Sequence, residues 1–250
     1  MIEMFLKTAL TPAFLMVVLF LLFGHAPEPW RARIQALSLT AAFWYASYLL
    51  AGLPPWPPQG ASALIWVAVW FGIYSWVAPP GLAFRYILRG VWVFGAIVIL
   101  VWSIRESVMT SQMHSRNLLA FVCLGWGLWS VLERASLKSH MATPIAMGMV
   151  SLTATSFLFL FKSSLMMSQM LTALAVIAGA LCVVAMFMPS RLSLHAVVPF
   201  FSAFFAVCLA AGYISLGINP WLLMSMAIPF AVLLLKDLFK VKPKSAFTEV

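Results

Sequence analysis

Charge is what this chain has least of. Only six of its 250 residues are Asp or Glu, and charged residues of either sign make up 8% of the chain. Soluble domains carry about 25%, so this sequence cannot clothe a water-facing surface, and a soluble catalytic domain is excluded. The acids (Glu3, Glu28, Glu106, Glu133, Asp237 and Glu249) fall at the ends of apolar runs or between them. Ion-coupled carriers and intramembrane proteases place ionisable groups inside their spans, so a carboxylate relay is disfavoured. Cys123, Cys182 and Cys208 sit within apolar runs and form no CxxC pair, which reads as small packed side chains rather than disulfides or metal ligands. The four histidines, His25, His114, His140 and His195, show no metal-ligand spacing, and none lies in mid-run where a pair would hold a haem. His140 and His195 fall on the same predicted side. There is no GxSxG nucleophile elbow and no GxxxxGK phosphate loop. No catalytic residue, no metal and no cofactor are expected, and an enzyme, one modifying a membrane lipid through Arg85, Arg89, Glu133, His140 or His195, ranks last among the readings.

What remains is apolar: 64% of the residues are hydrophobic and the mean hydropathy is +1.04. The run from Met141 to Met188 carries one charge, Lys162, near its middle. As one helix it would be roughly 72 Å long, more than twice the hydrocarbon thickness of a bilayer. It must fold back, and Lys162-Ser163-Ser164 is its only polar place to turn. The pattern predicts an all-α, polytopic membrane bundle of about nine transmembrane helices with very short loops, forming one domain. The predicted spans are 8–24, 34–53, 61–78, 91–104, 118–132, 141–161, 165–188, 196–216 and 221–235, followed by a basic tail over 236–250. Gly24-His25-Ala26 has the small residues a signal peptidase accepts, which would leave eight spans; the n-region has no net positive charge, and a retained first helix is favoured.

Several features mark sites. Trp66, Trp70 and Tyr74 recur at i, i+4 and i+8 and form one aromatic face, read as a packing face or interface anchor, with stacking on a polyene or quinone as the sharper reading. Pro54-Pro55-Trp56-Pro57-Pro58 is a stiff turn with Trp56 at headgroup level, or a docking ledge. Arg85 and Arg89 share a helical face ahead of the fourth span, and with Lys162 they are the lipid-headgroup candidates, expected to snorkel to the membrane surface. In the seventh span Ser168, Thr172, Ala175, Gly179 and Cys182 follow a heptad of small residues, and Gly148, Ser151 and Thr155 in the sixth form the row expected to pack against it.

The net charge of +9 comes from Lys and Arg at segment ends, which points to anionic headgroups and orientation, not to nucleic acid. With the C-terminus inside, Arg31, Arg33, Arg85, Arg89, Arg134, Lys138, Arg191 and the lysines of the tail face the cytoplasm, against Lys7, Arg105, Arg116 and Lys162 outside. That asymmetry predicts N-out, C-in in a bacterial cytoplasmic membrane. The expected partners are membrane lipids and other integral-membrane subunits, or a second copy. The first functional expectation is a non-catalytic subunit or assembly factor of a membrane complex. The second is a transporter or flippase of a lipid or small amphipathic solute, its path lined by the hydroxyls of the hairpin; a cavity beside the hairpin would favour it, and a close-packed hairpin the first.

Overall fold

The structure, a computed structural model, describes residues 6–28, 30–74, 76–77, 82–103, 115–138, 142–162 and 164–232. Helix is its only regular secondary structure among these residues. A π-helical turn at Leu6–Leu10 runs into α1 (Thr11–Phe23). It is followed by α2 (Trp30–Ala51), α3 (Ala63–Tyr74), α4 (Leu82–Ser103), α5 (Ser115–Lys138), α6 (Ala142–Phe161), α7 (Leu165–Phe187), α8 (Leu194–Leu216) and α9 (Pro220–Ser225).

The boundaries follow local chemistry. Glu28 caps α2, its Oε2 accepting from the Ala32 N–H at 3.3 Å, and α2 stops at Gly52, whose φ of 78° suits only a residue without Cβ. Gly217 ends α8 in the left-handed region, and the Ile218 N–H closes back onto Gly212 O at 3.2 Å. Asn219 then caps α9, its Oδ1 accepting from Trp221 N, with Pro220 in the first turn.

Among the described residues, five helices are long and apolar enough to cross a membrane: α2, α4 from Tyr86 onward, α6, α7 and α8 from Ala196 to Ile214. Apolar stretches of the remaining helices are shorter, at Lys7–Phe23, Ala63–Tyr74 and Leu119–Glu133. The segment expected at 61–78 contains a helix of only 12 residues, because a 3-10 turn at Gly60–Ser62 opens it and turns at Trp76 and Val77 close it. The segment expected from 221 is a six-residue helix that breaks at Met226-Ala227 before a further helical turn over 228–232. Two other boundaries move. Arg31 and Arg33, expected in a loop, occupy the first turn of α2, and α4 starts at Leu82 rather than Val91, so Arg85 and Arg89 lie within it.

Consecutive helices alternate in direction, and the contacts between their ends define two ends of the bundle. At one, Arg31 Nη1 donates to Ser190 O (2.9 Å), Gln35 Nε2 to Arg191 O (2.6 Å), the Ser193 N–H to Gln35 Oε1 (2.7 Å) and Arg191 Nη1 to Leu21 O (3.3 Å). At this cation end the buried Gln35 ties α2 to the link between α7 and α8, and Arg191 ties that link to α1. At the other end lie Lys162, the proline-rich segment and Asn219. α8 is the centre: it touches α2 to α6 as well as α9, and 94% of its apolar window is buried. Phe200, Phe204, Phe205, Leu209 and Ala210 supply much of the core there.

Candidate functional site

The sequence placed no ionisable group inside the helices. The structure buries one, Arg89, and half-buries its partner Glu133. Arg89 on α4 is 2% exposed, and its Nη2 lies 2.5 Å from Glu133 Oε2 on α5. The two residues meet because α4 and α5 both run past their expected ends, bringing a cation and an anion to the same level. The snorkelling position expected for Arg89 is thus replaced by a buried ion pair: in an apolar bundle a cation is accommodated only where a carboxylate and ring faces compensate its lost hydration. The guanidinium carbon sits 4.8 Å from the Tyr86 ring centroid and 5.5 Å from that of Trp129. Arg89 Nε and Nη1 are buried and have no hydrogen-bond partner. Among the described residues the site is therefore a cation with one carboxylate, two ring faces and two unused donors, able to hold a hydrogen-bond acceptor. Among the described residues there is no group of three His, Cys, Asp or Glu able to hold a metal ion.

The aromatic face predicted from Trp66, Trp70 and Tyr74 forms one wall beside this pair. Trp70 stacks on Trp92 at 4.5 Å and 18°, while Tyr74 meets Trp92 at 5.4 Å and Trp129 at 4.8 Å, both edge-on. Trp66 turns the other way, donating from Nε1 to Pro55 O at 3.2 Å and packing against Trp56 at 4.9 Å. The three rings thus engage protein rings and the proline-rich segment. Trp56 itself is 76% exposed.

The hairpin turns where the sequence placed it. α6 ends at Phe161, Lys162 is exposed in the turn, and α6 and α7 share the most extensive interface in the bundle. Ser168, Thr172, Gly179 and Cys182 of the row on α7 meet α6. Ser156 Oγ lies 2.8 Å from Ser168 O, 3.1 Å from Ser168 Oγ and 2.8 Å from Thr172 Oγ1. Further along, Met149 Sδ is 3.1 Å from where a Cβ on Gly179 would stand, and Cys182 Sγ is 3.6 Å from Ala142 O. The facing stripe on α6 is Ala142, Met149 and Ser156, a heptad row. Gly148 instead lines a small apolar cleft with Leu132 of α5 and Val197, Val198 and Phe201 of α8. Thr155 donates to Ser151 O in its own helix, and Ser151 Oγ is buried without a partner. Ala175 is buried on α7.

The side chains of Arg85, Arg116, Arg134, Lys138 and His195 lie outside the described residues, as do Glu106, His114, His140 and the tail lysines. The chain matches no family model, no curated protein and no solved structure. Fold and site together define the class: an all-helical bundle with five membrane-length helices, compatible with an integral membrane location.

Proposed function

We propose that this chain is a non-catalytic integral-membrane subunit or assembly factor of a larger membrane protein complex. The observation that carries the reading is the closed hairpin. Most of its hydroxyls, which would line a path in a transporter, are taken up inside the hairpin: Ser156, Ser168 and Thr172 bond to one another across the two helices, Thr153 and Thr155 bond to carbonyls of their own helix, and Ser151 is buried without a partner. The cleft beside Gly148 has a volume of about 20 Å³, room for one water and not for a solute.

In this reading the chain makes nine passes, counting the five membrane-length helices, the three shorter apolar ones and the segment from 221 to 235, of which a six-residue helix and one further turn are described, with the N-terminus out and the C-terminus in, in a bacterial cytoplasmic membrane. Support comes from the alternation of helix direction and from the gathering of Arg31, Arg33, Arg89 and Arg191 at one end. The test is purification in native nanodiscs with mass spectrometry of every co-purifying protein and lipid. A stoichiometric partner chain is expected; a lone protein carrying a tightly held lipid or isoprenoid would overturn the subunit reading in favour of transport.

A further inference from the structure

We propose that Arg33, held between Trp30 and Trp76 at the cation end, is a binding site for the phosphodiester headgroup of an anionic membrane lipid. The Arg33 guanidinium carbon lies 5.1 Å from the Trp30 ring centroid and 5.3 Å from that of Trp76, and the two rings meet edge-on at 6.4 Å and 88°. This cage fixes the guanidinium in place without neutralising it, since ring faces stabilise a cation yet leave its charge intact. Arg33 has no ion pair and no side-chain hydrogen bond among the described residues, and its Nε is buried without a partner.

The other two arginines at this end each have an acceptor at their Nη atoms, although Arg31 Nε, like that of Arg33, is buried without one. Arg31 is taken up by Glu28 Oε1 at 3.3 Å and by Ser190 O, and Arg191 by Leu21 O. Glu28 also caps α2 through Ala32 N, so the one described carboxylate at this place is fully used. Of the three guanidinium groups, that of Arg33 is left as a preorganised planar donor fork with no acceptor among the described residues. A phosphodiester is the acceptor such a fork matches.

The flanking rings select the source. Trp30 and Trp76 are 52% and 47% exposed, half-sunk amphipathic rings beside the end of a membrane-length helix. That is where tryptophans sit against the glycerol and upper acyl region of lipid while the charge is read beyond them. Arg33 also stands in the first turns of α2, where the helix dipole disfavours a cation. The placement is unfavourable for the helix alone and becomes favourable when an anion binds. The inference rests on the membrane placement proposed above and not on the partner chain.

The experiment is a lipid titration followed by native mass spectrometry, using the full chain extracted in mild detergent and delipidated. Dioleoyl phosphatidylglycerol and dioleoyl phosphatidylcholine are compared, with inorganic phosphate as competitor. The expected result is a first phosphatidylglycerol adduct retained several-fold better than the phosphatidylcholine one. Arg33→Ala abolishes that preference, and Arg33→Lys restores part of it, keeping the charge and losing the fork. Should Arg33→Ala fail to extract as a monodisperse protein, Arg33→Gln makes the same comparison with the side chain's length kept. Equal retention of the two lipids, or an unchanged preference in the Arg33 variants, overturns the site while leaving the membrane placement intact. Displacement of the lipid by inorganic phosphate overturns the lipid assignment, and aqueous extraction without detergent would overturn the membrane placement itself.

Discussion

Trp70 and Trp92 clasp each other. The indole N–H of each donates to the backbone carbonyl of the other, at 2.9 and 2.8 Å, with the rings stacked between them. In an apolar interior an indole N–H needs an acceptor, and a carbonyl already used by its own helix can accept a second hydrogen bond. The clasp therefore joins α3 to α4 with no polar group left over, and it anchors the aromatic wall along which Tyr74 and Trp129 reach the Arg89–Glu133 pair.

The clasp makes Gly95 a sensitive position. A Cβ there would stand 2.7 Å from Trp70 Cζ2 and 2.9 Å from Cε2, and the ring cannot swing aside without breaking both hydrogen bonds. Gly95→Ala is expected to destabilise the protein by about 1–3 kcal/mol through overpacking, despite alanine's better helix propensity. At Gly90, where a Cβ meets nothing within 4 Å, the same substitution is expected to cause no loss. Unfolding in detergent, followed by helicity, checks the pair; equal behaviour of the two variants would show that the ring is not held.

The Arg89–Glu133 pair carries a prediction of opposite form. Glu133→Leu leaves Arg89 buried with no carboxylate, and breaking such a pair costs about 3–5 kcal/mol. Converting both residues, Arg89→Met with Glu133→Leu, removes the stranded charge and is expected to recover most of that loss. A double-mutant cycle by denaturant unfolding in detergent measures the coupling; a double variant as unstable as Glu133→Leu would mean that the pair contributes through something other than its charges.

In the hairpin, two serines on one helix are expected to respond differently. Ser156→Ala removes the oxygen shared with Ser168 and Thr172, with an expected loss of about 0.6–1.7 kcal/mol, the range for interhelical hydrogen bonds in a membrane. Ser151 is as deeply buried but its hydroxyl has no partner, so Ser151→Ala is expected to be neutral or stabilising. Thermal melts of the two variants in the same detergent rank them, and a larger loss at Ser151 would contradict the facing stripe described for α6.

How far these features were legible depends on contrast within the sequence. The hairpin stood out because Lys162-Ser163-Ser164 interrupts an otherwise apolar run, and a break in uniform polarity has one reading. The α7 row was legible because its small residues keep a heptad spacing. The facing row was not. α6 is apolar on every side, so periodicity alone cannot choose between Gly148-Ser151-Thr155 and Ala142-Met149-Ser156. A signal did exist: Ser156 and Ser168 are equidistant from Lys162, as are Ala142 and Cys182, and antiparallel pairing about that turn opposes equidistant residues. Arg89 and Glu133 were missed for a different reason. Hydropathy pushes each charge out of a span when weighed singly, whereas a cation and an anion on neighbouring helices enter together by compensating each other.

The proposed orientation yields a test that needs no partner. Lys162 is exposed in the hairpin turn, and Ser190 is exposed in the turn between α7 and α8 at the cation end, so the two report on opposite ends of the same helix. Native thiols must be removed first. Cys123 is exposed on α5 and Cys182 half-buried on α7, whereas Cys208 is fully buried in α8 and calls for replacement by alanine, a small change. In that background Lys162→Cys is expected to react with a membrane-impermeant maleimide on intact cells, and Ser190→Cys only after permeabilisation. The reverse pattern would invert the orientation while keeping the alternation of helices. Labelling of both positions on intact cells would mean that α7 does not cross the membrane, and the membrane placement of the hairpin would fall with it.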